Sequence, residues 1–273
     1  LIISSQIPLG TFKLIENFIK RNKIKTKLIY IPENLRLGNS IKNFLRPDRI
    51  IVGARSKNEF NIIKKIFNKI RFKLINVSPE SAELIKHSIN GFLALSICYI
   101  NEVTKIAKSY NANPSEISKG LKSEERIGYK SYLSPGNAFS GGTLERDVGF
   151  LKNISKNKSI KNYIIENILL SNENKKKYIY EKLKKYKKKK IMIVGLSYKE
   201  GTSTTRQSDS IKLAKWLKKN MYNFYLHDPN VIQLPKLLKD NHIVNLEDQI
   251  PKIDIFIFLY TQTKFKDFDK KII

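Results

Sequence analysis

The chain has 273 residues, of which 41% are apolar, including 14 Phe and 13 Tyr. This length and apolar content suffice for two modest domains with hydrophobic cores, and they exclude disorder as the dominant state. One cysteine and three histidines exclude a disulfide framework and a thiolate zinc centre, and we expect no metal site. Because no run of about eighteen apolar residues is present, we expect no membrane partner and a cytoplasmic location.

The net charge of +28 is the one feature of the composition that suggests a nucleic-acid partner. Only nine of the 52 basic residues are arginine, although recognition of bases and phosphates favours the guanidinium fork. The densest basic run, at residues 184–190, precedes an apolar segment and is typical of a solvated helix end. We therefore expect no nucleic-acid partner. An RNA- or DNA-binding protein is kept as a third alternative, whose binding would fall steeply with salt.

The first part of the chain alternates between apolar runs and helical patterns. Runs at residues 1–5, 27–31 and 49–53 predict strands, and apolar periodicities over residues 10–19 and 62–70 predict helices. This alternation predicts a parallel α/β sheet.

A helix-start signal, Ser78 followed by Pro79, opens an apolar periodicity that lasts to about Tyr110. This length predicts a central connecting helix. Its apolar positions exceed what one amphipathic stripe needs, so we expect part of the helix to pack against a second subunit. Further helical patterns cover residues 114–120 and 147–186, on either side of a Gly-, Ser- and Pro-rich loop.

The last part of the chain again shows the pattern of an α/β domain. Apolar runs at residues 191–195, 224–226 and 255–259 predict strands, and a helical pattern over residues 211–217 follows the first of them. This strand–turn–helix–strand order is typical of a nucleotide-binding domain.

Nine short segments stand in an order and at spacings that carry a family resemblance. They are SSQIPLGT at 4–11, PENLRLG at 32–38, RPDRI at 46–50, ELIK at 83–86, NGFLA at 90–94, INE at 100–102, ERIG at 125–128, SGGTLERD at 140–147 and GLSYK at 195–199. The set resembles the UDP-glucose/GDP-mannose dehydrogenase family and covers nearly the whole chain. The resemblance implies NAD as cofactor, a UDP- or GDP-sugar substrate oxidised at C6, and a homodimer formed through the central helices.

The resemblance also implies the domain organisation. The expected fold class is α/β, with two Rossmann-like lobes, the first only partly present, joined by a long central helix and a helical dimerisation region. Residues 1–77 would end the NAD-binding domain, residues 78–189 would form the central region with the active site, and residues 190–273 would form an incomplete nucleotide-sugar domain. Because the Gly-rich pyrophosphate fingerprint is missing, we expect this chain to bind NAD poorly.

The catalytic candidates are partly visible from spacing. Lys86 and Asn90 stand four residues apart, so on a helix they share a face, where an ammonium and an amide can serve one oxygen of a substrate. The family has its catalytic Lys and Asn at these positions. By resemblance, Glu33 is the general base or water-positioning carboxylate, and Asp147 is the partner of the lysine and of a water.

Other positions match binding residues of the family. Arg126 matches an arginine that reaches the sugar from the neighbouring subunit, where a planar fork suits two hydroxyls or a carboxylate. Lys199 matches a lysine near the sugar diphosphate. Further matches, by resemblance, are Tyr132, Phe139 and Gly141 for the substrate, and Ser5, Gln6 and Arg206 for the nicotinamide half of the cofactor.

The sequence departs from the family at Thr143, which stands where the nucleophilic cysteine is expected. A thiolate captures the intermediate aldehyde, and a threonine hydroxyl is far less acidic. Cys98 lies in an apolar helical run and is expected to be a core thiol. We therefore expect a dehydrogenase that serves polysaccharide precursor synthesis and stops after two electrons.

An alternative stays open, because Thr143, Leu37 in place of a common acid, and the missing fingerprint also fit a non-catalytic homologue. Such a protein would bind nucleotide sugar or stabilise a partner enzyme.

Overall fold

The structure is a computed structural model, and it describes the chain except residues 34, 36–39, 69–71, 141, 198–201, 244–251 and 260–273. The contacts divide the chain into two compact units, Leu1–Asn90 and Gly91–Ile273. Among the described residues, no helix combines the length and the apolar character that crossing a bilayer requires.

The first unit contains a four-stranded sheet in the order β1-β2-β3-β4. The strands are β1 (Ile2–Ile3), β2 (Ile29–Tyr30), β3 (Arg49–Gly53) and β4 (Lys73–Val77). The helices are α1 (Thr11–Arg21), α2 (Ser40–Leu45) and α3 (Lys57–Ile66). The expected parallel α/β sheet is confirmed for the pairs β1–β2 and β3–β4, whereas β2 and β3 pair antiparallel through Tyr30 and Gly53. With six residues, α2 is too short to be the crossover helix that a parallel neighbour usually needs.

Both faces of this sheet are covered. Ile29 and Val52 belong to one core cluster, whereas their neighbours Tyr30 and Ile51 belong to another on the opposite face, as the two-residue period of a strand requires. Gly53 meets the next element closely: a Cβ there would lie 2.9 Å from the Cβ of Ala82. This two-faced burial gives the unit its α/β character.

The central region is helical. Its long helix, α4 (Pro79–Ser109), has 31 residues and confirms the expected connecting helix. Ser78 caps it, because its Oγ accepts a hydrogen bond from the amide of Ser81 at 3.1 Å. The next helix is α5 (Pro114–Ser123).

The single helical stretch expected over residues 147–186 is wrong, since the structure has two helices, α6 (Leu144–Asn157) and α7 (Tyr163–Lys184). Ser159, with a φ of 56°, takes the left-handed conformation that ends α6. A core of Ala94, Cys98, Phe139, Val148 and Ile168 joins these helices to α4 and to the loop before α6.

The second sheet has three parallel strands in the order β6-β5-β7. They are β5 (Ile191–Val194), β6 (Phe224–His227) and β7 (Ile255–Phe258), with helix α8 (Asp209–Lys219) after β5 and a short 3-10 helix (Lys236–Asn241) after β6. Ser208 caps α8 through the amide of Ile211. The predicted strand–turn–helix–strand lobe is therefore confirmed.

Candidate active site

Loop 4–10, which carries Ser5 and Gln6, is held by two side chains of α4. Glu83 is 1% exposed, and its carboxylate accepts hydrogen bonds of 2.8 Å from the amides of both Gly10 and Phe12. Gly10 sits at the N-cap of α1 with a φ of 87° and has no side chain to cap the helix. Glu83 therefore caps α1 from a distant part of the sequence, and its negative charge suits the helix N-terminus.

One turn further along α4, His87 contacts the same loop. Its Nε2 lies 3.3 Å from the carbonyl oxygen of Ile7, and its Nδ1 lies 3.5 Å from Nε2 of Gln6. Gln6 is half-buried and Ser5 is exposed. Sequence reasoning missed the positioning roles of Glu83 and His87, because each acts on a segment more than seventy positions away.

The structure places Lys86 and Asn90 on α4, one turn apart, as their spacing predicts. The side chain of Asn90 is buried and that of Lys86 is half-buried. Glu33 follows β2 and is exposed. All three side chains belong to the first unit.

Asp147 lies in the first turn of α6 and is fully buried, at 0% exposure. Its Oδ1 accepts a hydrogen bond of 3.1 Å from Nε of Arg146. A carboxylate that serves only the helix dipole stays at the surface, so complete burial indicates a specific task for this group. Thr143 is exposed at the N-cap position, and its side chain makes no capping hydrogen bond.

The loop that carries Phe139 is clamped by two buried asparagines. Asn172 of α7 hydrogen-bonds both the amide and the carbonyl of Phe139, each at 2.9 Å. Asn101 of α4 donates to the carbonyl of Asn137 at 3.0 Å and accepts from the amide of Gly136 at 3.2 Å. Each asparagine side chain both accepts a hydrogen bond through its Oδ1 and donates one through its Nδ2, so the backbone of this loop is held in a defined shape.

Five further candidates are exposed or lie outside the described residues. Tyr132 and Arg206 are exposed, and the side chain of Arg126 is 88% exposed beside Glu124, at 2.8 Å. Gly141 and Lys199, together with Leu37, lie outside the described residues. Cys98 is buried, its Sγ donates to the carbonyl of Ile168, and burial raises the pKa of its thiol. The expectation of a core thiol is confirmed.

The turn after β5 is occupied by a carboxylate of the chain itself. Oδ2 of Asp228, at the end of β6, accepts hydrogen bonds from the amides of Leu196 at 2.7 Å and Ser197 at 2.9 Å. In a dinucleotide-binding domain, amides of the first strand–helix turn hold phosphate. Because Asp228 uses them here, this turn does not serve as a cofactor fingerprint.

An ion cluster links the start of α6 to the start of α8. The ammonium of Lys176, with 10% of its side chain exposed, lies 3.3 Å from Glu145, 2.9 Å from Glu173 and 3.9 Å from Asp209. Burial opposes the charge of Lys176, but its carboxylate partners raise its pKa overall. Burial also raises the pKa of Asp209. The cluster therefore ties α8 to the segment between Thr143 and Asp147.

A cleft of about 650 Å³ lies in the second unit, bordered by residues 135–138 of the clamped loop, by Ser140, and by Ser197 and Ser208. Its size suits a nucleotide-sized ligand. In the part of the chain that the structure describes, no three His, Cys, Asp or Glu side chains group as metal ligands.

The three domain models of one family match consecutive parts of the chain. The NAD binding domain model matches residues 1–71, the central domain model matches residues 80–174, and the UDP binding domain model matches residues 192–273. A chain with an α/β lobe before and after a long helix in the sequence, and with a buried carboxylate that follows a clamped Gly-rich loop, fits this class of protein. The chain belongs to the UDP-glucose/GDP-mannose dehydrogenase family.

Among curated relatives, a UDP-glucose 6-dehydrogenase of Rickettsia bellii is 29% identical over 98% of this chain and 64% of its own length. A putative UDP-glucose 6-dehydrogenase of Bacillus subtilis is 27% identical with the same coverage. The solved UDP-glucose dehydrogenase of Pyrobaculum islandicum matches 98% of this chain and 64% of its own with a TM-score of 0.88 at 24% identity, which shows the shared fold. The chain thus spans about two thirds of the length of the relatives it matches.

Proposed function

We propose that this chain is part of a cytoplasmic, NAD-dependent dehydrogenase that oxidises an alcohol of a UDP- or GDP-linked sugar for polysaccharide precursor synthesis. The observation that carries the proposal is the fully buried Asp147, four residues after Thr143 and beside the clamped loop, in a chain that matches all three domains of the family. Relatives along 98% of the chain bear the name UDP-glucose 6-dehydrogenase.

The proposed roles follow from the chemistry of each group. Lys86 would stabilise the alkoxide that forms as the alcohol loses its proton, and Asn90 would orient the sugar or a water. Glu33 and Asp147 would hold the water and accept protons. NAD, when bound, supplies the hydride acceptor.

Substrate binding is assigned to four residues at positions that match binding residues of the family. Tyr132, Phe139 and Gly141 would contact the nucleotide sugar, and Lys199 would approach its diphosphate. Two asparagine clamps support this assignment, because they fix the backbone of the loop before Ser140. The exposed guanidinium of Arg126 is suited to reach the sugar of a neighbouring subunit.

The residues present fit one end of NAD. Ser5, Gln6 and Arg206 would touch the nicotinamide half, and the hydrogen bonds from Glu83 and His87 support a preorganised loop for the first two. In the last lobe, Asp228 occupies backbone amides of the kind that hold a pyrophosphate in a dinucleotide-binding domain. Residues 1–273 should therefore bind NAD poorly, and calorimetry that finds micromolar affinity would overturn this assignment. We keep the domain boundaries at 1–77, 78–189 and 190–273.

A homodimer through the central helices is supported by an apolar stripe on α4. Phe92, Tyr99 and Ile106 follow one another at seven-residue spacing and are 68%, 52% and 61% exposed. They lie opposite the face that contributes Ala94 and Cys98 to the core. A seven-residue spacing keeps side chains on one side of a helix, and such a stripe suits the same stripe of a second copy.

Thr143 supports a second candidate function, a homologue that binds nucleotide sugar without oxidising it. The discriminating test is a thermal-shift panel of UDP- and GDP-sugars on residues 1–273, followed by NADH formation in a protein that has the Gly-rich NAD segment before residue 1. Stabilisation with NADH supports the dehydrogenase, and stabilisation without NADH supports the non-catalytic homologue. If no sugar nucleotide stabilises the protein, both proposals fail.

A further inference from the structure

Helix α7 holds the segment around Thr143 at two points. Asn172 hydrogen-bonds the amide and the carbonyl of Phe139, which precedes that segment, each at 2.9 Å. Four residues later on α7, the ammonium of Lys176 lies 3.3 Å from Oε2 of Glu145, which follows it. Residues four positions apart share one face of a helix. One face of α7 therefore contacts the chain on both sides of Thr143.

The first turn of α6 has no side-chain cap of its own. Thr143 stands at the N-cap position, but its side chain makes no capping hydrogen bond. The same turn carries the buried carboxylate of Asp147, whose amide donates to the carbonyl of Thr143 at 3.0 Å. Because helix ends without caps fray, such a turn needs a tertiary contact to fix it. The contact between Glu145 and Lys176 provides that restraint, two residues before Asp147.

Lys176 is enclosed by carboxylates from three helices. Its side chain is 10% exposed, and its ammonium also lies 2.9 Å from Glu173 of α7 and 3.9 Å from Asp209 of α8. Burial raises the pKa of Asp209, and the charge of Lys176 opposes this rise. The charge of Glu145 raises the same pKa, so the two carboxylates repel each other. Lys176 is therefore the cation that lets the starts of α6 and α8 approach.

We propose that Lys176 is a positioning residue for the oxidation of the sugar, because it fixes the first turn of α6 and, through it, Thr143 and Asp147. This role rests on the proposed function, in which Asp147 holds a water and accepts protons. A misplacement of about 1 Å far from the reacting atoms can lower turnover by about 100-fold. Because Lys176 acts through Glu145, its loss should lower kcat and leave substrate binding intact.

Hydrogen exchange tests the restraint without any need for activity. In residues 1–273, Lys176→Met should make exchange about tenfold faster at the amides of residues 147–149, the first that bond within α6. Lys177→Met, at the exposed neighbouring position, is the matched control and should change nothing. Lys176→Arg, which keeps the charge, should keep the protection. Full protection in Lys176→Met would overturn the proposal.

Glu145→Gln is a second variant that leaves the lysine in place. It removes only the charge that joins Lys176 to α6, and the contacts of Lys176 with Glu173 and Asp209 remain. Exchange at residues 147–149 should again be faster, while the free energy of unfolding changes little, because Glu145 is partly exposed. Unaltered exchange in Glu145→Gln would contradict the restraint.

The pH dependence gives a readout that a general loss of packing would not move. In Lys176→Met, the carboxylates of Glu145, Glu173 and Asp209 lose their shared ammonium, while Lys212 still pairs with Asp209 at 3.3 Å. Acid removes their repulsion by protonating carboxylates, first at Asp209, whose pKa is raised by burial. Protection at residues 147–149 should therefore recover between about pH 7.5 and about pH 5. Protection that stays lost in acid would contradict the charge argument.

Kinetics separate positioning from binding in a protein with a Gly-rich NAD segment placed before residue 1. Lys176→Met should lower kcat by about tenfold to 100-fold with an unchanged KM for the sugar nucleotide, and Lys176→Arg should keep most of the rate. An unchanged kcat would refute the role. A raised KM with kcat kept would make Lys176, which borders the cleft, a binding residue and also refute it.

The two experiments also separate this proposal from the proposed function. If the unaltered protein forms no NADH while Lys176→Met still loses protection at residues 147–149, the proposed function fails and the restraint on α6 stands. If the unaltered protein forms NADH and Lys176→Met keeps both its protection and its kcat, the positioning role fails and the proposed function stands.

Discussion

Replacing Glu83 with glutamine should destabilise the first unit strongly, although the side chain keeps its size. Its two oxygens each accept a hydrogen bond of 2.8 Å, from the amides of Gly10 and Phe12, in a place that is almost completely buried. Glutamine keeps one acceptor and turns an NH₂ group toward the other amide. One buried donor then lacks a partner, and the capping charge is lost, so we expect a loss of about 2–4 kcal/mol.

Equilibrium urea unfolding measures this loss, and Glu80→Gln in the first turn of the same helix is the matched control. Glu80 is exposed and pairs with Arg55, so its variant should lose only about 1 kcal/mol or less. In Glu83→Gln, hydrogen exchange should also lose protection at the amides of Gly10 and Phe12. Equal unfolding free energies for the two variants, with those amides still protected, would refute the capping argument.

Three further predictions concern other parts of the chain. In a protein with a Gly-rich NAD segment placed before residue 1, Thr143→Cys should raise the NADH formed per sugar from about one toward two, because a thiolate can capture the aldehyde, and an unchanged ratio would contradict this. Phe92→Lys should shift sedimentation from dimer toward monomer, since it places a charge in the proposed apolar interface. Hydrogen bonds from Arg55 lower the pKa values of Glu16 and Glu80 below the ordinary 4.5. The stability that Glu16 and Glu80 contribute is therefore fully present above about pH 4.5, and it is lost as the pH falls through their lowered pKa values. Arg55→Met should make the free energy of unfolding depend less on pH in this acidic range.

The central helix and the last lobe were predictable because their signals are local. Ser78 and Pro79 mark the start of α4, and the apolar periodicity continues to its end. The strands β5, β6 and β7 are apolar runs bounded by polar residues, as buried parallel strands usually are.

Other elements lacked a local signal. The break between α6 and α7 falls at Ser159, which has the left-handed conformation. A glycine at this position would have predicted a helix end, whereas a serine does not. Strand β4 is only half-buried, so its apolar residues did not stand out between α3 and Ser78, and α2 is a single short helix without buried residues.

The sequence singles out the motif residues of the candidate site, but it does not show which other residues hold them in place. The spacing of Lys86 and Asn90 indicates a shared helix face, and the resemblance singles out Asp147. Nothing local shows that Glu83 caps α1 or that Asn172 clamps Phe139, because these partners are 71 to 73 and 33 positions apart. Such pairs form only when the fold brings the elements together.

The most direct test of the dehydrogenase proposal is NADH formation from UDP-glucose or GDP-mannose by a protein in which the Gly-rich NAD segment precedes residue 1. We predict NADH with one of these sugars, and a fall in kcat of about 100-fold or more in Asp147→Asn and in Lys86→Met, with sugar-nucleotide binding retained. Tight binding of both the sugar nucleotide and NAD without any NADH would contradict the account.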